Sequence, residues 1–348
     1  MINPAYDEVL RADAETRLGL FIATAQRLGT TPQNVEKDFW VCWTLDALFN
    51  GLPPGGPRLL FKGGTSLSKG FSLISRFSED IDVTVFRDDL GQGASVEELA
   101  ALSRTRRLAK LEAIRAACEA YIQGDLREQL EALAGAAAQR AGLASGSIQV
   151  RPDDQDQQTL LVVYPAATPN DAYVQPVVKI ESGAKSALDP NSLRTLQPYA
   201  NPEAVDLDLS VANVTVVDPD RTFWDKVVIL HGLRRWYDIR GELRGGGQRI
   251  SRHYYDLHRL MGSDVGARAL ADPALGVDCV AHARMFFDRP DYDLASAVPP
   301  TFALAPHHGM EDALARDYAA MTAMIFGQAP AFEDVMASMA QLEARLNG

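Results

Sequence analysis

The stretch 60–86, LFKGGTSLSKGFSLISRFSEDIDVTVF, constrains what this chain can fold into more than any other. Leu59, Leu60 and Phe61 form a short apolar run that Gly63-Gly64 breaks, the pattern of a strand ending in a sharp turn. Thr65 then stands where it can cap a short helix carrying Leu67, Phe71 and Ile74 at helical spacing. Glycine leaves the turn's N–H groups unshielded. With the hydroxyls of Thr65, Ser66 and Ser68 nearby, such a helix start can cradle phosphate. In Asp80-Ile81-Asp82-Val83-Thr84-Val85-Phe86 strand alternation puts Ile81, Val83 and Val85 on one face and both aspartates on the other.

Each half alone is ordinary, since Asp-x-Asp is a common strand surface and Gly-Gly often precedes a helix. Together they suit one ligand: two carboxylates beside a phosphate cradle are what Mg²⁺ (or Mn²⁺) bridging a nucleoside triphosphate (NTP) needs. The stretch resembles the nucleotidyltransferase superfamily signature of a Gly-[Gly/Ser] pair, a spacer and Asp-x-[Asp/Glu]. More closely, KGGTSL-x-K and RFSEDID resemble the AbiEii/AbiGii toxin family, type IV toxin–antitoxin proteins related to the MenT toxins. The resemblance implies an α/β (α+β) fold, a nucleotidyltransferase-type mixed sheet flanked by helices and followed by a mainly helical C-terminal domain. It implies that Asp80 and Asp82 hold metal and that Gly63, Gly64, Thr65 and Ser66 seat the triphosphate. Because Gly-Gly-Thr-Ser stands here for the usual Gly-Ser, it leaves open which hydroxyl meets phosphate.

Elsewhere the pattern predicts a helix over 16–28 and another opened by Thr31-Pro32, with Val35, Phe39, Cys42, Leu45 and Phe49 inward. Glu36-Lys37-Asp38 fits a solvated first turn, although the family likeness extends over it and keeps Lys37 a candidate site residue. Ala, Leu, Glu and Arg dominate 95–145, a helical insertion. Strands follow at 148–151, 159–164 and 173–181, with Lys179 and Glu181 opposite Val178 and Ile180. Superfamily sites often take a third carboxylate from a later strand, which makes Glu181 the candidate; the alternative is an exposed strand face. Residues 191–202, with two prolines, read as a loop, and 211–217 as a strand.

Asp218-Pro219 opens a helix carrying Asp225-Lys226, within TFWDK-x-VILH, the second stretch that resembles the family. The resemblance implies an essential lysine, Lys226, on triphosphate charge. A further lysine common in the family is replaced here by His231-Gly232-Leu233-Arg234-Arg235. RHYYDL resembles the last family motif and implies that Asp256 is needed for activity, positioning a base, a metal-bound water or the attacking hydroxyl. Its residues alone suggest an Arg252–Asp256 pair one helical turn apart. His307-His308 falls in an expected loop. The predicted domains are 1–218 and 219–348.

A net charge of −12 argues against a protein that coats nucleic acid generally. Residues 221–259 nevertheless carry nine basic side chains against four acidic ones, a local excess of five that would suit an RNA acceptor stem. Three widely spaced cysteines, no membrane-length apolar run and no signal-peptide layout predict a reduced, cytoplasmic protein without membrane contact. The expected activity is Mg-dependent nucleotide transfer from an NTP to RNA, by family resemblance the tRNA 3′ end, in the toxin of a toxin–antitoxin or phage-defence system with its antitoxin encoded by an adjacent gene. Two rivals stand beside it: nucleotidylation of a protein or small-molecule hydroxyl, and a non-catalytic nucleotide-binding module.

Overall fold

The computed structural model describes residues 1–169 and 175–348. These form two compact units: Met1–Phe71, Phe77–Ala94 and Arg104–Val217 make the first, and Ser72–Arg76, Ser95–Ser103 and Asp218–Gly348 the second.

The first unit is built on a seven-stranded mixed sheet of β1 (Leu59–Lys62), β2 (Asp80–Val85), β3 (Gln149–Pro152), β4 (Thr159–Val163), β5 (Val177–Gly183), β6 (Asn191–Leu196) and β7 (Val211–Val217). Across the sheet the order is β3-β4-β5-β2-β1-β7-β6. The pairs β2–β5 and β1–β7 are parallel and the rest antiparallel. Its helices are α1 (Ala5–Arg11), α2 (Ala14–Leu28), α3 (Pro32–Asp46), α4 (Gly63–Lys69), α6 (Arg104–Tyr121) and α7 (Arg127–Arg140); α5 (Val96–Ala101) belongs to the second unit. Asp13 caps α2, Gly29 ends it in the left-handed conformation, and Thr31 caps α3 with Pro32 in its first turn. The helices of the insertion, α6 and α7, carry Leu111, Ile114, Cys118, Leu130 and Ala134 into the core.

Two expectations change here. Residues 191–196 form edge strand β6, paired antiparallel with β7, instead of a loop. The edge position explains the polar sequence, because Leu193, Arg194 and Thr195 face solvent and need no apolar neighbours. Glu36, Lys37 and Asp38 are buried, not solvated. Glu36 accepts from the backbone N–H groups of Ala167 (2.6 Å) and Thr168 (3.0 Å), Lys37 reaches Glu79 at 2.5 Å, and Asp38 takes the Tyr199 N–H at 2.6 Å. Asp38 also pairs with the Lys69 ammonium, which lies over the Tyr199 ring, 3.2 Å from its centre. Tyr173 and Val174, expected at the start of β5, lie outside the described residues.

The second unit is helical: α8 (Pro219–Arg240), α9 (Ser251–Met261), α10 (Asp264–Ala271), α11 (Pro273–Phe286), α12 (His308–Thr322) and α13 (Phe332–Asn347). On α8, Phe223, Val227 and Leu230 are buried as the periodicity predicts, and so is Lys226. Gly276 of α11 lets the Trp224 ring approach to where a Cβ would stand only 2.9 Å away. Segment Ser72–Arg76 belongs to this unit: the Phe326 N–H donates to the Ser75 carbonyl at 2.7 Å, and Arg76 forms a β-bridge with Ile325. Ile74 is therefore buried here, beyond the end of α4. The expected loop at His307-His308 is instead the start of α12: His307 caps it, and His308 lies 3.0 Å from Glu311 one turn on. No described helix is long and apolar enough to cross a membrane.

The Lys69 and Asp38 side chains are almost wholly enclosed. Burial works against the Lys69 ammonium, yet Asp38 and Tyr199 hold its pKa above the usual value. Lys69→Ala leaves Asp38 as an uncompensated buried charge and is expected to cost about 3–5 kcal/mol of stability, measured by urea unfolding. An effect within 1 kcal/mol of zero, the range of an exposed pair, would show that water reaches the pair freely.

Candidate functional site

β1, β2 and β5 lie side by side, and their register builds a charged face. Lys62 stands opposite Asp82, Asp82 beside Glu181, and Asp80 beside Lys179. Paired residues project on the same side of a sheet, so three carboxylates and two lysines share it. The opposite face carries Phe61, Ile81, Val83 and Ile180, all fully buried. One step further along, the charged side closes over with buried Leu60 and Thr84, which confines the acids to one end of β2. Lys62 Nζ lies 3.8 Å from Asp82 Oδ1, and Lys179 Nζ lies 3.2 Å from Glu181 Oε1 and 3.8 Å from Asp153 Oδ2. Burial lowers the Lys179 pKa, but Glu181, Asp153 and Asp80 together raise it above the usual value.

Gly63 fits this face for two reasons. Its φ of 81° is left-handed, and an added Cβ would meet Asp82 Oδ2 at 2.1 Å. α4 begins at Gly63, so Thr65 sits inside its first turn and does not cap it. The Thr65 hydroxyl donates to the Asp80 carbonyl at 2.5 Å and lies 2.7 Å from the Ser78 hydroxyl. The Ser66 hydroxyl donates to the Gly63 carbonyl at 2.9 Å, and both side chains are buried. These hydroxyls brace the turn against β2, and α4 has only seven residues. What the turn offers an anion is the backbone at Gly63-Gly64.

The donor set suits a hard divalent cation such as Mg²⁺ or Mn²⁺: aspartate oxygens on one face, half exposed, with Glu181 in register beside Asp82. Among the described residues no three His, Cys, Asp or Glu side chains stand close enough to form a ready-made site. Glu181 is turned toward Lys179. The residues therefore fit a cation held by Asp80 and Asp82, with Glu181 a third ligand once it leaves that lysine.

The second unit brings Lys226 and Asp256 together and adds Arg76. Arg76 Nε donates to Asp256 Oδ1 at 2.8 Å and Nη2 to Oδ2 at 2.9 Å, while Lys226 Nζ donates to the same Oδ2 at 2.8 Å. Asp256 is 0% exposed, Arg76 5% and Lys226 6%. Burial would raise the Asp256 pKa, but the two cations hold it well below the usual carboxylate range. Burial lowers the Lys226 pKa more than Asp256 restores it, with Arg76 and Arg252 pushing the same way. His253, whose imidazole is kept neutral chiefly by burial and then by Lys226 and Arg252, adjoins the group.

Residues 46–338 match the family profile for the nucleotidyl transferase AbiEii toxin of type IV toxin–antitoxin systems. The chain belongs to the AbiEii family. It is accordingly a nucleotidyltransferase of the toxin class. No curated protein matches it at significant similarity. Among solved structures, the nucleotidyltransferase toxin MenT4 of Mycobacterium tuberculosis H37Rv is similar, with 17% identity and a TM-score of 0.34 over 94% of this chain and 99% of that one.

In this AbiEii protein the motif residues fall into two groups, each assembled within its own unit: Gly63, Gly64, Asp80, Asp82 and Glu181 in the first, Lys226 and Asp256 in the second. The basic stretch 221–259 is not an open row. Arg234 pairs with Asp238 at 2.9 Å and donates to the Ala305 carbonyl; Arg235 donates to the Thr301 carbonyl; Arg240 holds Asp291 at 2.6 Å; Arg221 pairs with Asp225 and Asp278. Asp225 and Asp238 lie within the stretch, but Asp278 and Asp291 lie downstream, where a local charge count misses them. Arg76 escaped the sequence reading as a site residue although it stands in RFSEDID; so did Lys62 and Lys179, whose signal is strand register.

Asp256→Asn leaves two buried cations facing a neutral amide, and about 3–5 kcal/mol of stability is expected to disappear at pH 7. A carboxylate whose folded pKa is depressed contributes above its unfolded pKa of about 3.9, and the contribution is lost as pH falls through the folded value. The gap between wild type and Asp256→Asn, read from urea unfolding, should therefore be full at pH 7 and shrink below about pH 4. A gap that does not vary with pH would mean that Asp256 is not ionised in the folded protein.

Proposed function

We propose that this toxin transfers a nucleotidyl group from an NTP to an RNA hydroxyl, with the 3′ end of a tRNA as the acceptor that the family likeness implies. The observation that carries the reading is the β2 face, where Asp80 and Asp82 project together beside a Gly63 that has no room for a side chain. Asp80 and Asp82 would hold Mg²⁺ or Mn²⁺, which when bound supplies neutralisation of charge on the triphosphate. The bare backbone at Gly63-Gly64 lets the phosphates approach, and Thr65 and Ser66 keep that backbone in place through their internal hydrogen bonds. Lys226 neutralises phosphate charge as the transition state develops. Asp256, enclosed and doubly engaged, does not take a proton; it holds Lys226. Asp80 is placed by chemistry to accept the acceptor hydroxyl's proton. The reading places the toxin in the cytoplasm, restrained by a cognate antitoxin.

The internal ion pairs of Arg234, Arg235 and Arg240 favour a second reading, in which the acceptor is a protein or small-molecule hydroxyl. Incubation with each labelled NTP, Mg²⁺ and total cell RNA and protein separates the two by where the label goes. Label in RNA is expected, with Asp82→Asn lowering transfer by at least about a hundredfold, the scale of losing one group of a preorganised electrostatic site. Full transfer by Asp82→Asn would remove the metal assignment.

Salt dependence checks the acceptor independently. An RNA acceptor held through phosphates loses affinity as salt rises, with a log–log slope near −0.7 for each single-strand phosphate contact. Acceptor affinity measured at two salt concentrations should show that slope. A flat response would leave nucleotidyl transfer standing and move the acceptor away from RNA.

A further inference from the structure

We infer that Arg76 is a positioning residue for the transfer reaction, fixing the Asp256 carboxylate and through it the Lys226 ammonium in the pose that meets the triphosphate. The inference rests on the role proposed for Lys226. Its first support is geometry. The guanidinium engages Asp256 with two donors at 2.8 and 2.9 Å, a fork that sets the plane of the carboxylate as well as its place. Lys226 then binds Oδ2, the oxygen that Arg76 Nη2 also holds, so the ammonium's direction follows from the fork. Arg76 is itself anchored, because its backbone bridges Ile325 and its neighbour Ser75 accepts from Phe326 N–H.

The second support is charge. Two cations share one carboxylate where almost no water reaches. A single lysine–carboxylate pair would hold α8 to α9 without the second cation, and apolar side chains would serve as well or better. The second cation is useful where it fixes the direction of the first. The groups that face Lys226 are Asp256 and Arg76 together with Arg252 and His253. Arg76 thus has two effects on the lysine: it aims it through Asp256, and as a nearby cation it eases loss of its proton.

Two substitutions separate aiming from support. Arg76→Lys keeps the charge and loses the fork; Arg76→Met keeps the bulk and loses the charge. Each is compared with wild type and Lys226→Ala for melting temperature, kcat and KM of transfer per folded enzyme, and pH dependence. The Lys226 pKa is followed separately by NMR of its labelled Cε. In folded Arg76→Lys, kcat is expected to fall about tenfold or more while KM for the NTP changes less than about twofold. In Arg76→Met the alkaline limb of activity and the Lys226 titration both move to higher pH, because a neighbouring cation is gone. If Arg76→Met does not fold, the kcat of Arg76→Lys decides. Wild-type kcat per folded molecule in both variants, or an unmoved Lys226 titration in folded Arg76→Met, overturns the proposal while Lys226→Ala stays inactive. Full transfer by Lys226→Ala, or no transfer by wild type, overturns the reading of Lys226 and the proposal with it.

Discussion

The contact between Asp82 and Gly63 is the constraint on which the charged face of the sheet depends. β1 and β2 are antiparallel neighbours whose register is fixed by Leu59 against Val85 and Phe61 against Val83, all buried. A slip of one residue would turn Asp80 and Asp82 into that apolar layer. The hydrophobic face therefore decides where the carboxylates stand, and it places Asp82 beside the residue that follows Lys62. Any side chain at Gly63 would collide with it. The absence of a side chain at Gly63 thus admits the carboxylate and bares the backbone in one stroke. Thr65 completes the unit by tying α4 to the first carbonyl of β2.

Buried charge is the second theme, and the two clusters differ in kind. Lys69 and Asp38 balance one to one, with Tyr199 supplying its ring to the cation and its N–H to the carboxylate. Such a balanced pair fixes α4 against α3 and the segment before β7, and breaking it costs more than making it gains. In the other cluster Arg76 and Lys226 share the one carboxylate of Asp256. Both clusters are desolvated to a similar degree, so burial does not tell them apart; the number of cations on the carboxylate does.

How much of this was legible depended on whether the determining contacts are local. Asp80 and Asp82 could be read because strand alternation is a property of adjacent residues. Glu181 could be named as a type of residue, but its place beside Asp82 follows from parallel pairing with a strand about a hundred residues away, which no local pattern states. Glu36, Lys37 and Asp38 were misread for the same reason: their partners are Ala167 and Thr168, Glu79, and Lys69 with Tyr199, all remote. The arginines of 221–259 failed in the opposite sense, being counted as available when acids such as Asp278 and Asp291 engage them. β6 reads as a loop in the sequence because an edge strand needs little apolar sequence. The motif resemblance names Lys226 and Asp256 separately, and the structure joins them in one hydrogen-bonded group with Arg76.

The charge of the β2 face sets a condition on anion binding there. On the β2 face, Asp80, Asp82 and Glu181 stand against Lys62 and Lys179, three negative charges to two positive ones. Taken alone, that face repels a triphosphate, and it does so within a chain whose net charge is −12. On the proposed reading, a divalent cation held by Asp80 and Asp82 would reverse the sign of that face, which ties nucleotide binding in the first unit to the metal.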